Sequence, residues 1–159
     1  MVENKVGGFF MRTPETTNET PKQKAKKAVH TAAIGAATLA ATPIPFADAF
    51  ALMPLQTTMI VQIYRAYGQK ISKGVVQGVM KATFATTIGR SLAGSLFKLV
   101  PGAGSVVGGA ISAGVAVSVT EAIGQALIKE FEDGDSVDLE TLSSVILTAV
   151  SLAAKKKRK

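Results

Sequence analysis

Apolar and small residues recur along this chain at helical spacing, in blocks divided by proline, glycine or charged turns. No run alternates at period two between hairpin turns, so strands are not expected. "TPKQ" opens the first block: Thr20 is a good N-cap, Pro21 stands where its missing donor is harmless, and Gln23 completes a capping box. This helix is expected to run to about Ala41, with Ala32, Ala36 and Ala40 as a small-residue stripe at spacing four. "TPIPF" then breaks it, because the residue before a proline is pushed out of the helical region. A second helix reads "FADAFALMPLQTTMIVQIYRAYG". Asp48 lies in its first turn, Pro54 kinks or divides it, and Gly68 stops it. Ser72 caps a third helix over 73–100, with Gly74, Gly78 and Ala82 on one face. Pro101 ends it, and a fourth helix spans about 103–131. "DGDS" is a turn before a fifth helix at about 137–154, which has acids at its start and lysines beyond its end. The pattern predicts an all-α fold of about five helices in antiparallel hairpins packed through Gly and Ala seams. Residues 1–19 read as a disordered tail, 20–154 as the helical domain and 155–159 as a basic tail.

The stretch "LVPGAGSVVGGAISAGVAVSVT", 99–120, has no charged residue and five glycines. As a nucleotide site it fails. "GAGSVVG" has the wrong spacing for a dinucleotide fingerprint, no strand precedes it, and no P-loop occurs anywhere in the chain. As a membrane span it has the length of about 20 residues but weak content, being rich in Gly, Ser and Thr. Gly104-x-x-x-Gly108 and Ala110-x-x-x-Gly114 form small-xxx-small surfaces that serve a membrane hairpin and a soluble helix pair equally.

Composition narrows the chemistry. The chain has no cysteine and one histidine, which excludes disulfides, thiol nucleophiles and multi-histidine metal sites. His30 has no identifiable catalytic partner, and "EFEDGDSVDLE" lacks the order of a calcium loop. No catalytic, cofactor or metal residue is expected, and the chain reads as a non-enzyme. "KQKAKKAVHTAAIGAATLAATPIPFADA" has the outline of a signal peptide, but a long polar segment precedes it and its middle is Ala-rich. Mean hydropathy is positive, at +0.30, yet there is no Trp and little aromatic content for a membrane belt.

The net charge of +7 is unevenly placed. The two ends together carry +8, and residues 28–154 carry −1. Basic ends on a near-neutral body do not suit a nucleic-acid-reading face. They suit an anionic membrane surface, contacted by Lys22, Lys24, Lys26, Lys27, Lys155, Lys156, Lys157, Arg158 and Lys159. Held to one leaflet, these ends require an even number of crossings. "KKKRK" also admits a solvated tail or a nuclear-import signal. Asp48 and Arg65 stand in one helix and cannot meet within it, but either could pair across helices, as could Arg90 and Glu121.

"PIPFADAFALMPLQTTMIVQIYRAYG", followed by "RSLAGSLFKLVPGAG" and a small-residue helix, resembles the domain of unknown function numbered 697. The resemblance covers about 30–131 and rests on Pro43, Pro45, Asp48, Gln56, Met59, Gly68, Arg90, Pro101, Gly102 and Gly104 in order. It implies a helical, membrane-associated module that works with a GTPase or membrane complex on the cytoplasmic face. Family members occur alone or fused to Era- and HflX-like GTPases. A chain without a P-loop would meet such a GTPase in trans. The helix seams would also serve homo-oligomers. A soluble adaptor or scaffold, or a pore-former of holin type, are the alternatives.

Overall fold

A computed structural model of the protein describes residues 18–41, 48–92, 106–134 and 136–156. Among them it shows five α-helices and no strand: α1 (Pro21–Ala41), α2 (Asp48–Ala66), α3 (Lys73–Leu92), α4 (Val106–Asp133) and α5 (Leu139–Lys156). The all-α fold is as expected.

Local chemistry sets the helix ends. The Thr20 backbone N–H donates to Gln23 Oε1 at 2.9 Å, and the Gln23 N–H donates to Thr20 Oγ1 at 3.2 Å. That is the reciprocal capping box read from "TPKQ". Ser72 Oγ accepts from the Val75 N–H at 3.2 Å, and Asp138 Oδ1 accepts from the Thr141 N–H at 2.8 Å. At the end of α2, Gly68 takes a φ of +78°. The Gln69 N–H reaches back to the Tyr64 carbonyl, and the Gly68 N–H to that of Arg65. This is a Schellman closure, which needs a residue free to adopt the left-handed region. Pro54 does not divide α2. It is exposed and near the helix start, so its lost donor leaves the later turns intact. The third helix, expected to reach 100, is described to Leu92; residues 93–105 lie outside the described residues.

Packing shows how the helices alternate. Lys22 at the start of α1 meets Glu132 at the end of α4, and Ala36 and Ala40 pack with Ala116. These pairs run in opposite senses, so α1 and α4 are antiparallel. Gly35 of α1 faces Leu55 of α2, also antiparallel. Gln56 and Tyr67 of α2 reach Thr120 and Glu132 of α4 at nearly constant offset, so these two helices run parallel. The contacts order the helices in a ring: α1, α2, α3, α5, α4 and back to α1, with α2 also touching α4. Among the described residues α3 touches neither α1 nor α4. The joint between the third and fourth helices lies in 93–105, outside the described residues. α5 takes the place beside α3, with Ser143 at 3.3 Å from Thr83.

Met59, Ile60 and Ile63 of α2, Val76 and Met80 of α3, Ile123 and Leu127 of α4, and Leu142 and Ile146 of α5 fill the core. α1 contributes mostly alanine, with Val29 as its one large buried side chain. Small side chains let α1 lie close against α4, the most extensive helix pairing among the described residues. Ala32, Ala36 and Ala40 are all buried, and Ala36 and Ala40 pack with Ala116 of α4.

The glycines behave differently from the expectation. Gly74, Gly78 and Gly114 are exposed, and a Cβ added at any of them would meet nothing within 4 Å among the described residues. They point outward because Val76, Met80 and Thr83 supply the inward face of α3, while Ala116 and Thr120 supply that of α4. The glycine that closes the seam is Gly124, which is buried against Val29. Gly108 and Ala110 lie within α4, and Gly104 lies outside the described residues.

Candidate functional site

Among the described residues, a group of interacting polar side chains sits where α1 begins and α2 and α4 end. Phe131 anchors it. The Tyr67 ring stacks on Phe131 at 4.7 Å and 4°, and Tyr64 meets the same ring edge-on at 5.0 Å and 89°. One residue on, Glu132 accepts from the Tyr67 hydroxyl at 2.6 Å and from Lys22 Nζ at 3.0 Å. These two donors hold its carboxyl below the usual range, the Tyr67 bond first, and the charge of Lys26 adds to them. Tyr67 moves the other way: burial and then the bond to Glu132 raise its hydroxyl well above the ordinary tyrosine value. Tyr64 is pushed up to about 12 by burial, with a smaller push from Asp138. Its hydroxyl is buried without a hydrogen-bond partner. At neutral pH the tyrosines keep their protons and Glu132 stays ionised. The group acts as a clasp between three helix ends rather than as a proton-transfer site.

The clasp changes the standing of the basic turn. Lys22 is engaged by Glu132, and Lys27 pairs with Glu19. Lys24 and Lys26 are exposed. Asn18, Glu19, Gln23, Lys26 and Lys27 line a shallow depression around the start of α1. At the other terminus, Lys155 and Lys156 close α5, and Lys157, Arg158 and Lys159 lie outside the described residues. Five alternating helices put these two basic groups at opposite ends of the bundle. The length of α5 alone separates them by about 27 Å at 1.5 Å per residue. The expected arrangement, with both ends brought to one side by an even number of crossings, does not follow from an odd number of helices. One surface can meet both ends only where the bundle lies along it.

Among the described residues no helix is long and apolar enough to cross a membrane. The uncharged 99–120 stretch continues as Glu121, Lys129, Glu130, Glu132 and Asp133 in α4, and its first residues lie outside the described ones. Nor do the described residues hold a group of three His, Cys, Asp or Glu side chains suited to a metal.

The residues that carried the resemblance divide into three sets. Gln56, Met59 and Gly68 have clear structural places. Gln56 Nε2 donates to Thr120 Oγ1 at 3.3 Å in the buried space between α2 and α4, Met59 is a core residue, and Gly68 closes α2. Asp48 opens α2 and Arg90 lies in α3. Pro43, Pro45, Pro101, Gly102 and Gly104 lie outside the described residues. Arg65 is exposed. The buried Gln56–Thr120 pair and Gly124 were not singled out from sequence. Ala116, Thr120 and Gly124 recur at spacing four on α4, as the alanines do on α1, and that shared period was the available signal.

The family model described as Domain of unknown function (DUF697) matches residues 11–155. The chain belongs to this family. The match is wider than the 30–131 of the resemblance and takes in all five helices, α5 included. Magnetosome membrane protein 22 of Magnetospirillum gryphiswaldense is similar to the chain, 28% identical over 134 residues that cover 79% of this chain and 69% of that protein. No solved structure matches the chain.

Proposed function

We propose that this DUF697 protein is a non-enzymatic helical module that associates with the cytoplasmic face of a membrane by lying on it. The similarity to a magnetosome membrane protein along most of the chain carries this reading. The shape of the bundle favours surface attachment over crossing, since no described helix has the length and hydropathy of a span. The exposed Lys24 and Lys26 and the basic end of the chain supply attraction to anionic headgroups. A GTPase acting in trans belongs to the same reading, and co-purification tests it.

Flotation with liposomes at low and high salt tests the attachment. Salt-sensitive flotation on anionic vesicles supports it. Flotation that resists carbonate favours insertion, and failure to float at either salt favours an adaptor working away from the bilayer. Dye release on addition would favour a pore. Deleting residues 155–159 should weaken vesicle binding, and unchanged binding would remove the tail from the reading.

A further inference from the structure

The near-neutral body conceals a division of charge. Residues 49–120 contain no Asp or Glu, and residues 121–140 contain seven. The fold places that linear division on two helix faces. Arg65 at the end of α2, Lys70 in the following turn, and Lys73 and Lys81 on α3 are all exposed and make no ion pair among the described residues. Glu121, Glu130, Glu132 and Asp133 on α4 are exposed too, with Lys129 among them, and Asp138 and Glu140 are exposed at the start of α5, the helix beside α3. In the ring of helices α3 touches α2 and α5 but neither α4 nor α1. The outer face of α3 is therefore basic, that of α4 is mainly acidic, and the two helices do not touch among the described residues. The lysines on α1 sit next to the acidic face, where Glu132 and Glu19 already hold two of them.

We propose that the outer face of α3, with the turn before it, is the surface that meets anionic lipid, the helix lying flat along the membrane and α4 facing away. This rests on the membrane-association reading and adds its orientation. Charge complementarity commits the face to an anionic partner. Its centre selects lipid among anionic partners. Gly74, Val75, Gly78, Ala82 and Ala85 are exposed between and beyond the lysines. Small side chains between the lysines let the helix lie close to the headgroups, within the short range over which the lysine charges act. They offer no aromatic plane on which a base would stack. This orientation puts the α3 lysines, in place of the α1 lysines that pack beside α4, against the headgroups.

The chain has no cysteine, so single-cysteine labelling of the full-length protein reads the orientation directly. Ala82→Cys and Ala85→Cys mark α3, and Ser118→Cys and Gln125→Cys mark exposed positions on α4. Each carries an environment-sensitive fluorophore and is mixed with vesicles of phosphatidylcholine and phosphatidylglycerol. The α3 labels should brighten, shift to the blue and be quenched by nitroxide lipids, and the α4 labels should not. A triple variant, Lys70→Gln with Lys73→Gln and Lys81→Gln, should lower vesicle partitioning by about fivefold per lysine, on the order of a hundredfold in all. Its helical circular dichroism should match the parent. If the parent floats but the α4 labels respond, alone or together with those on α3, the orientation is wrong and membrane association stands. Parental partitioning by the triple variant also overturns the orientation. A parent that does not float overturns both readings. Salt-sensitive binding to duplex DNA in place of vesicles would assign the face to nucleic acid instead.

Discussion

Replacing glycine with alanine inside a helix should have opposite signs at two positions of this protein. At Gly124 an added Cβ would sit 2.3 Å from Val29 Cγ2, 2.8 Å from Cγ1 and 3.1 Å from Cβ. Carbon atoms in contact prefer about 3.5–4.0 Å, so all three distances are too short. Valine cannot escape by rotation, because turning χ1 swaps one methyl for the other and leaves its Cβ in place. Val29 is also 2% exposed, so α1 and α4 must move apart. Overpacking of this kind costs about 1–3 kcal/mol, against a gain of about 1 kcal/mol for removing a helical glycine. The net expectation is a loss of about 1 kcal/mol, reaching about 2 if the backbone yields little. Gly78 is exposed with open space for a Cβ, so Gly78→Ala should stabilise by about 0.5–1 kcal/mol. Urea titrations of both variants, followed by circular dichroism, measure the difference. Val29→Ala alone should cost about 2 kcal/mol for the lost methyls and their cavity. Combined with Gly124→Ala it should cost less than the sum by about 1 kcal/mol, since the new methyl occupies the vacated space. Stabilisation of Gly124→Ala equal to that of Gly78→Ala would refute the close approach of α1 and α4.

Three further outcomes follow from single residues. Thr20→Ala removes one half of the capping box and should lower stability by about 1 kcal/mol, read as a shift in the urea midpoint. Tyr64→Phe removes a buried, unpartnered hydroxyl and should stabilise by about 1 kcal/mol; a loss of that size would show that the hydroxyl is satisfied in solution. The raised Tyr64 value means that folding favours the protonated phenol. Its contribution is complete below pH ~10 and is lost as pH rises through about 12, so alkaline melting should begin above pH 10 and be milder in Tyr64→Phe. The Asp138 carboxyl is held below its ordinary value first by the Thr141 N–H, then by the Thr141 hydroxyl, with smaller help from the backbone N–H groups of Glu140 and Asp138. Its contribution is present above pH ~4 and lost as pH falls, so the melting temperature of Asp138→Asn should depend less on pH below about 4 than that of the parent.

Much of the fold follows from short-range patterns. Caps at Thr20 and Ser72, the stop at Gly68 and the alanine stripe on α1 depend on residues three or four apart, and all four are legible in the chain itself. Local rules fare worse at Pro54, where the sequence admits a kink or a break and the structure shows a continuous helix. They also mistake the seam. Gly74, Gly78, Gly114 and Gly124 all stand inside helices, but only Gly124 lies against a neighbour. Spacing tells which residues share a face; it does not tell which face another helix covers.

The sequence by itself determined an all-α protein, the helix ends at Thr20, Gly68 and Ser72, the absence of thiol and multi-histidine chemistry, and its membership of DUF697. These depend on composition, on linear motifs and on interactions within a helical turn. Tertiary structure alone decided that α5, not α4, lies beside α3, and that Glu132 draws Lys22 and Tyr67 into one clasp. It also decided that a body of nearly zero net charge carries a basic face on α3 and a mainly acidic one on α4. Net charge is a sum along the chain, whereas a surface field depends on where the ring of helices turns each charge.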